Sequence, residues 1–251
     1  MVYSGHFKAE QITITRRQVE RIESYREKGF IIHSDNLKAV KFAKFIVLAV
    51  RPRQLTGLIE EIKSALIPNK HVLISLVTGI WISELRKMVG RDVWITRAMP
   101  NIAVSKGESM TCLSTSLIPR EIAQQVNSLF STVGETLNIE EEFMTPATAL
   151  CACGIAFFLR AIRAASQGGI EIGFHWDQAL IMAAQTAKGA AEIILNSKTH
   201  PESEIDKVTT PRGVTISGLN EMEHHGFSSA MIKGIVVSAK KAEKLLENNG
   251  K

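Results

Sequence analysis

Phe45-Ile46-Val47-Leu48-Ala49-Val50-Arg51-Pro52 is a run of six apolar residues closed by a cation and a proline. A strand apolar on both alternating faces is one that lies between two helical layers. Working outward, short β-rich runs alternate with helical patterns. Ile12 to Thr15 reads as a strand, Gln18 to Lys28 as a helix closed by Gly29, Phe30 to Ile32 as a strand and Leu37 to Lys44 as a helix. Leu55 to Leu66 (helix), His71 to Leu76 (strand), Trp81 to Val89 (helix) and Val93 to Arg97 (strand) continue the pattern, and Glu108 to Leu113, the helix Pro119 to Phe130 and the strand Thr136 to Ile139 complete it. Such alternation specifies a parallel sheet covered by helices. From Phe143 the apolar period becomes 3.6 and strands vanish. Thr145 to Ile172, Trp176 to Asn196, Val214 to His225 and Ser228 to Leu246 read as helices, with Gly173, Gly226 and Gly250 as stops. The chain therefore divides near residues 140 to 144 into an α/β domain, 1–142, and an all-α domain, 143–251.

With 251 residues, 45% hydrophobic and 22% charged, the chain has the composition of a globular protein. The longest charge-free stretch, Phe143 to Leu159, contains Pro146 and is too short for a bilayer span, so no membrane is expected. The first residues show no export pattern, and three cysteines, Cys112, Cys151 and Cys153, lack disulfide or zinc spacing; a cytoplasmic protein is expected. The net charge of +5 is dispersed and only 6% of residues are aromatic, which argues against nucleic acid and suits an anionic small ligand.

An open parallel sheet binds ligands at the carboxyl ends of its strands. Arg16 and Arg17 follow the first strand, where an arginine accommodates the extra phosphate of NADP; two solvated arginines at a helix start is the equal alternative. Asp35-Asn36 precedes a helix and suits an N-cap. Ala49-Val50-Arg51-Pro52, Ser75 to Gly79 and Arg97 to Asn101 end three successive strands and together describe a lined crevice. In the helical half, Val208-Thr209-Thr210-Pro211-Arg212-Gly213-Val214-Thr215 leads into a helix whose free amides and dipole would hold a carboxylate; an ordinary helix start is the alternative. Other candidates carry less: Cys151 and Cys153 suit buried packing, His224 and His225 suit a helix end, and Glu140 to Glu142 a solvated corner.

Taken in order, these segments resemble the pyrroline-5-carboxylate reductase family over almost the whole chain. Leu48 to Pro52 is similar to the family's L-A-V-K-P, Met99-Pro100-Asn101 to M-P-N, Thr148-Ala149-Leu150 with Gly154 and Ala156 to T-A-L-S-G-S-G-P-A, and Val208 to Leu219 to V-[TS]-[ST]-P-G-G-T-T-I-x-G-L; Gln185-Thr186, Gly189-Ala190 and His200-Pro201 also match in place. The resemblance implies a Rossmann-like domain followed by a helical substrate and dimerisation domain, and reduction of 1-pyrroline-5-carboxylate to L-proline by NADPH or NADH. It implies a homodimer, often assembled into a decamer. Arg16, Asn36, Ala49, Val50, Arg51, Pro52, Thr78, Gly79, Met99, Pro100 and Asn101 would hold the cofactor. Thr210, Gly213 and Thr215 would hold the cyclic imino acid, with Thr215 as the catalytic hydroxyl.

Three departures stand out. Arg212 replaces the first glycine of the family's pair and Val214 replaces a threonine; Cys151 to Ile155 replaces S-G-S-G-P. The family's opening strand and G-x-G-x-M-G loop have no counterpart: Val2-Tyr3-Ser4-Gly5 resembles the end of its first helix, so a βα unit of about 20 to 25 residues is expected to be missing, with Met1 an internal methionine. A dimerising, catalytically inactive homologue is the alternative reading. Related β-hydroxyacid dehydrogenases are disfavoured, because they use a lysine in the first long helix and none lies between Phe143 and Gly173.

Overall fold

The computed structural model of the chain describes residues 1–2, 4–115 and 117–249, with side-chain surroundings to 244. Tyr3 and the predicted stop Gly250 lie outside them. The chain forms two compact units, Met1–Ala152 with Ala239–Lys251, and Cys153–Ser238.

The first unit carries β1 (Thr13–Thr15), β2 (Ile31–His33), β3 (Phe45–Leu48), β4 (Val72–Ser75), β5 (Trp94–Met99), β6 (Ser109–Ser114) and β7 (Gly134–Asn138). Its helices are α1 (Glu23–Arg26), α2 (Asn36–Phe42), α3 (Pro52–Ile62), α4 (Ile82–Val89), α5 (Arg120–Ser131) and α6 (Met144–Ala147). The core sits on both faces of β4, because its alternate residues point opposite ways. Leu73 joins Ile46, Leu48 and Ile95 under Leu55, Ile59 and Ile62 of α3 and Ile82, Leu85 and Val89 of α4. Val72 and Ile74 join Ala98 and Leu113 under Ile122, Val126 and Phe130 of α5. In each helix the buried residues recur at intervals of three or four, so one stripe faces the sheet.

Three features differ from the sequence expectation. The strands form two sheets: β1 pairs only with β2, while β3-β4-β5-β6-β7 form the other. β3 therefore has a free edge, and Val47 is 44% exposed although the run reads as wholly buried. β6 runs antiparallel to β5, because only nine residues separate Met99 from Ser109 and a parallel return needs about a dozen or more. The helix expected over Gln18 to Lys28 is a 3-10 turn, Val19–Ile22, followed by the single turn α1; Ile22 is its only buried residue, so there is no apolar stripe to extend it.

The second unit contains α7 (Gly154–Glu171), α8 (Trp176–Ser197), α9 (Pro201–Val208), α10 (Val214–His224) and α11 (Phe227–Asn249), the last running on past Ser238. Gly169 packs against Ala179 so closely that an added Cβ would lie 3.0 Å from the alanine methyl, which fixes the α7–α8 contact. The short α9 has no place in the sequence expectation, although Pro201 at its first position and His200 as N-cap, accepting from the Glu202 N–H at 3.3 Å, are its start signal. A wide π turn, Thr148–Cys153, joins α6 to α7. Pro146 lies in the opening turn of that helical run, where a missing N–H costs nothing, and does not interrupt it. Glu141–Glu171 is consequently 31 residues of helix apolar enough by length and composition to cross a membrane, longer than the charge-free stretch suggested.

Candidate functional site

Since β3, β4 and β5 run parallel, Ala49 to Pro52, Thr78-Gly79 and Met99-Pro100-Asn101 all follow strands at the carboxyl end of the sheet. Gly79 has φ of +86°, a left-handed turn open to glycine at little cost. Pro52 occupies the first position of α3, and the Arg51 N–H donates to Gln54 Oε1 at 3.2 Å, so the strand-to-helix turn is held by its own residues.

The free edges of β1 and β3 flank a cavity of about 780 Å³. Of the residues expected to hold the cofactor, Arg16, Asn36, Ala49, Val50 and Arg51 line it, whereas Pro52, Thr78, Gly79, Met99, Pro100 and Asn101 do not. Arg17, Gln18 and Gln54 also line it. Arg16, Arg17 and Arg51 form no ion pair among the described residues, which leaves a cationic rim for phosphate oxygens. Asn36 Nδ2 donates to both oxygens of Glu61 at 3.1 Å, and Asp35 caps α2 by accepting from the Lys38 N–H at 3.1 Å, as its sequence position suggests.

Asn101 is turned inward. Its Nδ2 donates to the Cys151 carbonyl at 3.3 Å, its Oδ1 accepts from the Ala103 N–H at 3.0 Å, and its own N–H donates to Ser109 Oγ at 3.1 Å. The side chain clamps the loop after β5 instead of presenting an amide to a ligand. Beside it, Met99 Sδ accepts from Thr148 Oγ1 at 2.8 Å.

Glu140 to Glu142 is more than the solvated corner expected. Glu141 Oε1 accepts from Arg97 Nη1 at 3.2 Å and from the Ile82 N–H at 2.6 Å. Arg97 is 6% exposed, and burial lowers its pKa against the opposing pull of Glu141 and Glu84. This pair ties β5 to the start of α4; an arginine mid-strand in an apolar setting is the signal that could have revealed it. The His225 imidazole meets the Glu221 carboxylate at 3.0 Å, while it is the His225 backbone N–H that meets the Glu221 carbonyl, at 3.1 Å.

In the helical unit, Thr210-Pro211-Arg212-Gly213 closes a β-turn through the Gly213 N–H, which donates to the Thr210 carbonyl at 2.8 Å. Arg212 is left-handed with φ of 63°, the position glycine prefers in a type II turn. Gly213 is extended, φ −75°, yet a Cβ there would lie 2.5 Å from Thr210 Oγ1 and 2.9 Å from its carbonyl oxygen. The two positions of the family's glycine pair thus differ: the first needs a conformation, the second needs space. Gly213 gives α10 no side-chain cap, so the first amides of the helix are free for an anion. The hydroxyls of Thr210 and Thr215 flank them, exposed and without a hydrogen bond among the described residues.

Comparison with known proteins follows this division. The family model described as pyrroline-5-carboxylate reductase dimerisation matches residues 141–245, and that described as NADP oxidoreductase coenzyme F420-dependent matches residues 1–79. Pyrroline-5-carboxylate reductase 1 of Dictyostelium discoideum is 49% identical over 257 residues, 98% of this chain but 46% of the relative. Reductase 2 of the same organism is 48% identical over 97% of this chain and 87% of its own length. The crystal structure of Plasmodium falciparum pyrroline carboxylate reductase with NADP bound superposes with a TM-score of 0.83 at 24% identity, covering 97% of this chain and 90% of that one. The chain belongs to the pyrroline-5-carboxylate reductase family.

Proposed function

We propose that the chain reduces 1-pyrroline-5-carboxylate to L-proline, taking its hydride from NADPH or NADH. The observation that carries this reading is the uncapped start of α10, where free amides and two unengaged hydroxyls stand together in a protein of this family. The amides of the first turn of α10 hold the substrate carboxylate, Gly213 keeps the approach open, and Thr210 and Thr215 orient the ring. In the reduction, the imine nitrogen takes one proton from solvent, the C=N carbon gains a hydride and the C=N π bond is lost; the Thr215 hydroxyl holds that proton at nitrogen. The substrate is already a polarised imine acid, so orientation supplies most of the rate, which is why no buried carboxylate or histidine is needed at this turn.

The reduced nicotinamide supplies hydride when bound. Arg16, with Arg17 and Arg51 on the cavity rim, fits the phosphates of NADPH. Asn36, Ala49 and Val50 line the approach, Pro52 sets the turn from β3 into α3 beside it, Thr78, Gly79, Met99 and Pro100 shape the strand-end edge, and Asn101 acts from behind by bracing that edge. The division at 142/143 assigns cofactor binding to the first domain and substrate binding and dimerisation to the second. A homodimer covers the apolar helices, Glu141–Glu171 included, and decamers assemble from it; the protein works in the cytoplasm and takes neither a membrane nor nucleic acid as partner.

Replacing Thr215 by alanine is expected to lower kcat about 10²-fold while leaving NADPH affinity, read by fluorescence titration, unchanged. Equal losses in both would refute the role. A second reading, a dimerising protein without catalysis, is favoured by the break between the β1–β2 and β3–β7 sheets. Dimerisation without NADPH binding or imine reduction would establish it.

A further inference from the structure

Cys112 and Cys151 stand 39 positions apart in sequence and lie with their sulfurs 3.9 Å apart. Cys112 is buried in β6, whereas Cys151 is half-buried in the π turn between α6 and α7. Cys153 has no sulfur partner among the described residues. Neither the reduction nor the packing of the sheet requires two thiols in contact here. We propose that Cys112 and Cys151 are a redox-modifiable pair that a peroxide closes to a disulfide.

The two thiols divide the chemistry. Either sulfur can donate in this contact; contact with Cys151 and burial push the Cys112 thiol up, and the hydrogen bond with Cys112 holds the Cys151 thiol down. Cys151 is the attacking sulfur because it is the one that solvent reaches, Cys112 being buried. Its thiolate takes one oxygen from hydrogen peroxide, becoming a sulfenic acid as the O–O bond breaks and, with one proton, water leaves. The Cys112 sulfur then displaces the hydroxyl, forming the S–S bond and, with its own proton, a second water. Two electrons leave the thiols and two reduce the peroxide. Closing from 3.9 Å to about 2.05 Å asks for side-chain rotation and a small shift of the π turn, which is not held by regular helical spacing.

The consequence runs through Asn101. The Cys151 carbonyl is the acceptor for Asn101 Nδ2, and Asn101 braces the loop after β5 through Ala103 and Ser109. Drawing Cys151 toward β6 displaces that brace and, on the cofactor reading above, the strand-end edge beside it.

The test is peroxide titration of the whole chain, followed by non-reducing peptide mass analysis. The expected product is a 112–151 cross-link, reversed by dithiothreitol, that persists in Cys153→Ser and is absent in both Cys112→Ala and Cys151→Ser. NADPH affinity should fall about fivefold on oxidation and recover on reduction. No cross-link, or one that uses Cys153 or joins two chains, overturns the proposal. A cross-link without any change in the affinity overturns its coupling to the strand-end edge. The cross-link is read by mass alone, so a failure of the reductase reading leaves that result interpretable.

Discussion

The two units bury their apolar residues in opposite ways. In the sheet unit Leu55, Ile59, Leu66, Leu73, Leu85 and Ile95 are fully buried within one chain. In the helical unit only Gly154, Ser166 and Ala179 are buried, while Phe158, Leu159, Trp176, Ile181 and Val214 are more than half exposed. Apolar area of that extent is the mark of an interface. The contrast teaches that the first unit's stability is its own, whereas the second unit's depends on what covers it.

The largest effect should come from breaking that cover. Ile181→Asp places a carboxylate where the partner's apolar surface would lie, which costs several kcal/mol when the charge is buried unpaired. Sedimentation should give a monomer, with the helical unit losing its cooperative unfolding; an intact dimer would show that α8 faces solvent. In the sheet unit, Leu73→Ala should cost about 2–5 kcal/mol in chemical denaturation, independent of protein concentration. A concentration-dependent loss would mean the two units do not differ as argued.

How much of this was legible in the sequence follows the same division. The buried strands β4 and β5 and the amphipathic helices α3, α4 and α5 announce themselves, because each writes its burial into a local period. What eluded the sequence depends on how elements meet in the folded chain. The direction of β6 follows from a short connection, the exposure of Val47 from a free sheet edge, and the inward turn of Asn101 from a carbonyl fifty residues away. Arg97 with Glu141 and Cys112 with Cys151 are likewise pairs that only the folded chain assembles. At the α10 turn the motif located the site, but why one glycine can be replaced and the other cannot needed coordinates.

A smaller effect is expected at the tightest of those positions. Gly213→Ala forces the new methyl into Thr210, shifting the turn and the first amides of α10; a displacement of about 1 Å can cost about 10²-fold in turnover. kcat/KM for the imine should fall by that order while the melting temperature changes little. Unchanged kinetics would show that the turn does not hold the substrate.

Arg212 should give the smallest effect of all, for a reason that separates conformation from space. Its left-handed backbone costs about 1–2 kcal/mol in an L-residue, so glycine would relieve strain in the folded chain. Glycine also frees the unfolded chain and gives back about 0.5–1 kcal/mol, so Arg212→Gly should change stability by no more than about 1.5 kcal/mol. A β-branched residue has the strain without the compensation. Arg212→Val should therefore be clearly less stable than either in thermal unfolding, although the side chain is exposed and makes no hydrogen bond or ion pair among the described residues. If valine is tolerated as well as glycine, Arg212 does not hold the left-handed conformation, and the distinction drawn between it and Gly213 fails.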